Sequence, residues 1–595
     1  MMLRARRLCE LAASWLRPGA LGLVACTSSN PDVESEAPVE IGLDLATLGD
    51  SGLRRVYGST GSGTLGLPVA GGLDVDGDGL ADVAFGAMQA APGAVPGSGS
   101  VFLAWGDGRL SGAIDTALPS ERFLRLDGSQ PYEFTGSELW IDDVDGDGLA
   151  DLLIARQNHS PASGARRAAG ALSIVSGGAA LRERGSELAP IALDRAPGGV
   201  AVLTLLGARE ESRLGIWVRS GDVTGDGIAD VLVGADQETA GAAHAGAAWL
   251  IAGGPHLHAT GLVDLAAPES TALAGHVARV VPPRDPPPAE YHFGATCQLA
   301  DLDGNGRAEV LVSAALSRAG AILDADGGLN AHGGGGPDAG RLYIAWDDNF
   351  PALPWPSGFE LEMGAGPGGY TSLGGGDGNE SFGEELLGGL DWDADGNPDL
   401  FVGDLVGNLR GRPSAGVGYV IYDAPRLRGV DARVGDLADL APPVRTTVIH
   451  GDAAGDIAAD TAAQGDFSGD GIADLVVCSP HANPLRRHSA GALHVLYGRA
   501  GGFPDAIDLR APPPRPALDL LPVYGAHGSF GIDRGDTLCY SAAAGDLDGD
   551  GRTDLIVNEM VGNGVAEDAI NVGNLLAIGA PIAGPLGPDT GPATP

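Results

Sequence analysis

The sequence predicts an all-β fold: a seven-bladed β-propeller with four-stranded blades, closed by an N-terminal strand that joins the last blade. Three observations carry that expectation. A nine-residue aspartate-rich loop recurs seven times, starting at Asp74, Asp143, Asp222, Asp301, Asp391, Asp466 and Asp546. Each copy leads into a short apolar run such as Val83-Ala84-Phe85 or Val310-Leu311-Val312. Strand-like residues 54–58 precede the first loop, whereas the chain after the last loop ends near a third strand at Ile578.

The loops are separated by 69, 79, 79, 90, 75 and 80 residues, a register that chance does not produce. Such a repeat turns 595 residues into one closed body instead of several domains. The runs after the loops are rich in β-branched residues and bounded by turn residues, so they read as buried strands. A variable segment follows, then a third strand usually opened by Gly. A fourth strand is expected between units, at residues 123–128, 202–207, 359–364, 446–451 and 520–525, with a less clear copy ending near Val280. Residues 54–58 supply the copy that the last unit lacks. A ring closed in this way removes open sheet edges.

Ahead of the ring, Arg4, Arg6 and Arg7 precede an apolar stretch that ends in Leu23-Val24-Ala25-Cys26. This order resembles a bacterial lipoprotein signal, in which Cys26 is acylated and becomes the first mature residue. The expected division is therefore a signal peptide over 1–25, a tether over 26–39, the propeller over 40–580, and a disordered Pro- and Gly-rich tail over 581–595. No later run is long and apolar enough to span a membrane, so membrane contact is expected only through a lipid on Cys26.

Composition agrees with many short strands joined by tight turns: Gly numbers 97 and aromatic residues make up 5%. The net charge is −42, and every basic residue is Arg. A surface so acidic repels phosphate backbones, which argues against nucleic acid as a partner. Beyond the leader, Cys297, Cys478 and Cys539 are an odd number, so no full disulfide framework exists; one bridge among the three is open, and the preferred expectation is small buried residues.

Within each loop the acids alternate as cation ligands do. Position one is Asp74, Asp143, Asp222, Asp301, Asp391, Asp466 or Asp546. Position three is Asp76, Asp145, Thr224, Asp303, Asp393, Ser468 or Asp548, and position five is Asp78, Asp147, Asp226, Asn305, Asp395, Asp470 or Asp550. Position six is always Gly, which allows the chain to turn sharply around one point. Position seven varies (Leu80, Leu149, Ile228, Arg307, Asn397, Ile472, Arg552), so its backbone carbonyl is the expected ligand. Position nine is acidic throughout: Asp82, Asp151, Asp230, Glu309, Asp399, Asp474 and Asp554. Ca²⁺ takes six to eight oxygen ligands, and up to seven structural Ca²⁺ ions are expected. Seven ions would move the formal charge from −42 to −28. Helical calcium loops require a Glu at position twelve, but here that position is Phe85, Ile154, Val233, Val312, Val402, Val477 or Val557.

The order of Phe-Gly, strand, aspartate loop, strand and Gly-Ala, seen at Phe293-Gly294 with Asp301 to Ala314, resembles the FG-GAP repeats of the integrin α-subunit head. The resemblance covers roughly residues 40–580. It implies a seven-bladed propeller with calcium in the hairpin loops of one face and recognition of protein on the other, and the partner expected on that face is a protein or glycan.

The expected function is therefore an exported calcium-binding module for adhesion or protein binding, at the cell surface or secreted. Two alternatives stand beside it: a propeller-type polysaccharide lyase, and a structural surface or matrix protein. No catalytic residue is nominated, because the twelve His are scattered and no nucleophile or zinc motif occurs. Arg534-Gly535-Asp536 is expected to be a chance tripeptide. His481 and His488 with Arg486 and Arg487 are expected to form a solvated loop.

Overall fold

The computed structural model describes residues 42–582 apart from 48–52, 60–62, 109–111, 162–163, 165, 241, 284–290, 316–339, 365–368, 376–380, 567 and 581. The leader 1–25, Cys26, the tether 26–39 and all of the tail but Ile582 lie outside the described residues. Seven sheets form, one for each aspartate loop. In blade 1 the first two strands, Val69–Leu73 and Asp82–Ala87, flank the loop. Ser100–Ala104 and Phe123–Asp127 complete the antiparallel set. The same order repeats to blade 7, whose strands are Leu538–Gly545, Asp554–Glu559 and Asn574–Ile578. The first strands of neighbouring blades touch around the whole ring, from blade 1 to blade 7 and back. They enclose an axial cavity of about 410 Å³.

The ring closes as the sequence predicts. Leu53–Tyr57 pairs antiparallel with Asn574–Ile578 as the fourth strand of blade 7. Leu53 and Val56 are almost fully buried there. At some 1.5–3 kcal/mol per buried aliphatic side chain, this seam is held by burial as well as by its ladder.

Two strand expectations need correction. Each sheet has five strands rather than four. The chain between the third and fourth strands of every blade reaches back and lays a short strand, parallel, on the fourth strand of the preceding blade. Gly112–Asp115 lies on Leu53–Tyr57, Ile191–Ala192 on Phe123–Asp127, and Gly261–Asp264 on Val202–Leu206. Glu360–Glu362, Asp431–Arg433 and Ala506–Asp508 continue the series. The seventh member is Leu43–Asp44, which pairs with the fourth strand of blade 6 at Val523 and Tyr524. The N-terminal segment therefore closes the ring twice, on blades 6 and 7. Physically, the fifth strands cover backbone groups that four-stranded blades would leave open at the rim.

The second correction concerns blade 4. Residues 359–364 are not its fourth strand, because Glu360–Glu362 is the fifth strand of blade 3. The fourth strand is Tyr370–Gly374, within a glycine-rich stretch that reads as an irregular loop. Phe359 to Met363 alternates apolar and acidic residues as a strand does, whereas Tyr370–Gly374 is framed by glycines that mask it.

The cysteines also depart from expectation. Cys478, on the second strand of blade 6, is disulfide-bonded to Cys539, on the first strand of blade 7, while Cys297 is free and buried. Their partnership crosses 61 residues of sequence and becomes visible only when two blades stand side by side.

Candidate metal loops and the opposite face

Each aspartate loop is folded by its own carboxylates. In loop 1, Asp74 accepts the N–H of Gly77 at 2.7 Å and of Gly79 at 2.8 Å. Asp76 accepts from the Asp78 amide and Asp78 from the Leu80 amide. The bond from the position-six glycine to the position-one carboxylate recurs in all seven loops, at 2.7–2.9 Å. These glycines have φ between +85° and +91°, the left-handed region that side chains disfavour. A Cβ there would meet nothing within 4 Å, so conformation and not space demands Gly.

Position four is glycine in six of the seven loops, with Ala394 in loop 5, and for a different reason as well. A Cβ on Gly146 would lie 2.7 Å from Ile228, and one on Gly225 would lie 2.8 Å from Arg307. In five of the seven loops position seven leans on position four of the preceding loop, Leu80 of loop 1 lying against Gly549 of loop 7, whereas Gly304 meets Pro398 at position eight of loop 5. The variable side chains at position seven thus join loop to loop. Sequence reasoning assigned them only a carbonyl, because their neighbours are some 80 residues away.

Position nine is the buried anchor. Asp82 accepts from the Val75 amide and from Gly106, both at 2.9 Å, which ties the loop to the end of the third strand. Its counterparts do the same with Gly177, Gly253, Asp423, Gly498 and Ala580. With one N–H on each oxygen, the second lone pairs are what such a carboxylate offers a cation. Burial, only partly offset by those N–H groups, pushes Asp82, Asp151 and Asp474 up to about 7, and Glu309 and Asp399 to about 8. Asp230 rises to about 6, and Asp554 is raised as well.

The loops gather oxygen donors only. One oxygen from each of Asp74, Asp76 and Asp78 lies within 4.8 Å of the others; so do those of Asp143, Asp145 and Asp151, of Asp301, Asp303 and Glu309, and of Asp391, Asp393 and Asp399. That set fits a hard divalent cation. Thr224 and Ser468 replace a position-three carboxylate by a hydroxyl, and Asn305 replaces one at position five, so loops 3, 4 and 6 carry less charge.

The next blade supplies counter-charges. Arg182, on the α-helix Ala179–Ser186, reaches Asp76 at 2.5 Å and Asp78 at 3.2 Å. His258 reaches Asp145 at 2.8 Å, and Arg428 reaches Asp303 at 2.9 Å. These partners lie 104–125 residues from their acids, and no local motif announces them.

The opposite face mixes a shared contact with blade-specific ones: Arg166, Arg412 and Arg487, each between the second and third strands of its blade, pair with Asp264, Asp508 and Asp44 at the ends of fifth strands. In blade 2, Arg156 is fully buried and meets Glu133 at 2.7 Å and Asp194 at 2.8 Å. In blade 3, Arg213 grips buried Asp236; against the effect of burial, its charge and His292 hold that carboxyl down to about 2. In blade 7, buried Glu559 accepts from Asn574 at 2.9 Å. Asp536 of the Arg-Gly-Asp tripeptide is 1% exposed and accepts from the His527 amide, so its carboxylate is not displayed to a partner.

Of the basic residues of blade 6, Arg486 and His488 are exposed as the sequence suggests, but Arg487 and His481 are not part of a solvated loop. Arg487 makes a two-pronged ion pair with Asp44 at 2.6 and 2.8 Å, fastening the first N-terminal strand. The His481 ring bonds the Tyr540 hydroxyl. Burial pushes His481 down to about 4, so it is neutral.

Residues 214–251 and 540–568, which include loops 3 and 7, match the FG-GAP repeat family. No curated protein matches the chain. Among solved structures, the crystal structure of the V. cholerae biofilm matrix protein Bap1 is 10% identical, covering 87% of this chain and 77% of that one. Its TM-score of 0.23 carries no argument about fold or function.

Proposed function

We propose that this FG-GAP propeller is an exported binding or adhesion module whose aspartate loops hold structural calcium. The observation that carries the reading is the sevenfold recurrence of one oxygen-donor loop with the same glycine N–H on the same carboxylate. Positions one, three and five would supply carboxylate or hydroxyl oxygen, position seven its carbonyl, and position nine the buried anchor. The cation would neutralise acids that otherwise repel one another across a few ångströms. Loops 1, 2, 5 and 7, with four carboxylates each, would bind most tightly.

Export is supported by the charge-then-apolar leader and by a disulfide, which persists in oxidising compartments. No helix among the described residues is long and apolar enough to cross a membrane. Partner recognition belongs to the face away from the loops, where the connecting segments vary on a fixed scaffold.

Calorimetric titration of calcium into chelator-stripped protein tests the metal. Several equivalents should bind, with the melting temperature rising. Extracellular modules bind calcium at roughly 10⁻⁴–10⁻³ M. In 10 mM calcium each occupied loop then contributes about 1.4–2.7 kcal/mol. A melting temperature indifferent to chelation would sink the reading.

A further inference from the structure

A cavity of about 400 Å³ opens on the face away from the aspartate loops, where the second-to-third loop of blade 6 meets the segments entering blades 6 and 7. We infer that it is a binding site for a uronate sugar, with Arg534 taking the carboxylate and Asn483, His488 and Asp456 taking ring hydroxyls. This rests on the reading of the chain as a binding module and names the ligand class that the module would hold.

Arg534 carries the argument furthest. It is exposed on the cavity wall, and its guanidinium meets no carboxylate among the described residues. Its backbone is nevertheless fixed. The Arg534 amide donates to Asn571 at 2.8 Å, and neighbouring Asp533 accepts from Asn563 at 2.6 Å. A planar guanidinium carried on a fixed backbone beside a cavity suits two-pronged recognition of a carboxylate.

The other polar groups have defined free ends. Asn483 uses its carbonyl oxygen to accept the Ser489 amide at 2.8 Å, which leaves its NH₂ to donate. The Nδ1 of His488 lies 3.0 Å from the Ser489 hydroxyl and 3.2 Å from that of Ser529. With those hydroxyls donating, Nε2 carries the proton and is a further donor. Asp456 is 2% exposed, and one of its oxygens accepts the Ala453 amide at 3.0 Å. Its Oδ1 has no hydrogen-bond partner, and a buried orphan oxygen on a cavity wall asks for a hydroxyl.

Three donor groups and one acceptor around the buried Met560 and Val561 match a ring that bears one carboxylate, several hydroxyls and an apolar C–H face. Ligand pockets span roughly 300–1,000 Å³, so this one is sized for a short saccharide. Strand addition of a peptide onto the fourth strands is closed, because a fifth strand covers each of them.

The test is calorimetric titration of the calcium-loaded full chain with trigalacturonate, with galactotriose and a glutamate-rich peptide as comparators. Trigalacturonate should bind, galactotriose at least tenfold more weakly. Arg534→Gln should weaken trigalacturonate at least tenfold while keeping the parent's melting temperature and calcium stoichiometry. Asp456→Asn should weaken both sugars alike. No binding, equal binding of the neutral sugar, or binding indifferent to Arg534→Gln would overturn the assignment. A preference for the peptide would overturn the sugar but leave the binding-module reading standing. Calcium stoichiometry, measured on the same samples, reports the failure of that reading separately.

Discussion

On the aspartate-loop face, Gly79 and six counterparts donate the same N–H to the same carboxylate. On the opposite face, Arg156 is buried with two acids, Arg213 grips one, and Cys478 is bonded to Cys539. One face repeats a local solution in all seven blades, whereas the other adds long-range pairs owned by single blades to an Arg–Asp pair that three blades share. The difference shows where stability is shared and where it is concentrated. Losing one loop should leave six others intact, whereas losing a pair owned by a single blade breaks a contact that has no copy.

The sharpest way to break the comparison is the disulfide, which closes 61 residues across blades 6 and 7. Replacing Cys478 and Cys539 by Ser should cost about 4 kcal/mol on the chain-entropy estimate. The loss, read from denaturant midpoints, should be the same with calcium or chelator. A cost that vanished in calcium would mean that the two faces are not independent.

A change on the loop face should behave in the opposite way. Gly551 has φ +85°, and Gly551→Ala should cost about 1–2 kcal/mol for a side chain in the left-handed region. The loss should grow in calcium, because the turn also positions the ligands. An equal loss in calcium and chelator would show that the turn does not organise the metal.

The smallest expected effect is on pH. The position-nine carboxyls are raised by burial, so ionising them costs the folded state more than the unfolded one. Stability of the chelated protein is therefore full at low pH and falls as pH rises towards 7–8. Burial lowers His450, His481 and His494 to about 4, so they act in the other direction, removing stability as pH falls below their unfolded value near 6.5. Between pH 8 and 6.5 only the carboxyls titrate. The melting temperature of chelated protein should rise over that interval and rise further below it, more gently, because the seven raised carboxyls outweigh the three lowered histidines until the unfolded carboxyls protonate at about 4. Calcium-loaded protein should show no such gain, and the same gain in both states would remove the carboxyls as its source.

Much of this molecule is written locally. Seven loops, the strands on either side of them, and the closing role of residues 54–58 are legible because each is a short pattern with its own turn chemistry. Tyr370–Gly374 is not, since glycines hide a strand that pairing with Arg341–Ala345 stabilises. At the candidate site, the acids at positions one, three, five and nine are legible from their spacing. Arg182, His258 and Arg428 are not, because their acids belong to another blade.

The sequence by itself determined the number of blades, the place of each loop and the strand that closes the ring, since all three follow from one repeated segment of adjacent residues. Only the tertiary structure decided the fifth strands, the Cys478–Cys539 bond, the stacking of Leu80 on Gly549 and the cavity beside Arg534. Each of these joins residues far apart in the chain, and whether they meet depends on how seven twisted sheets share one axis. That geometry exists only after the ring is shut.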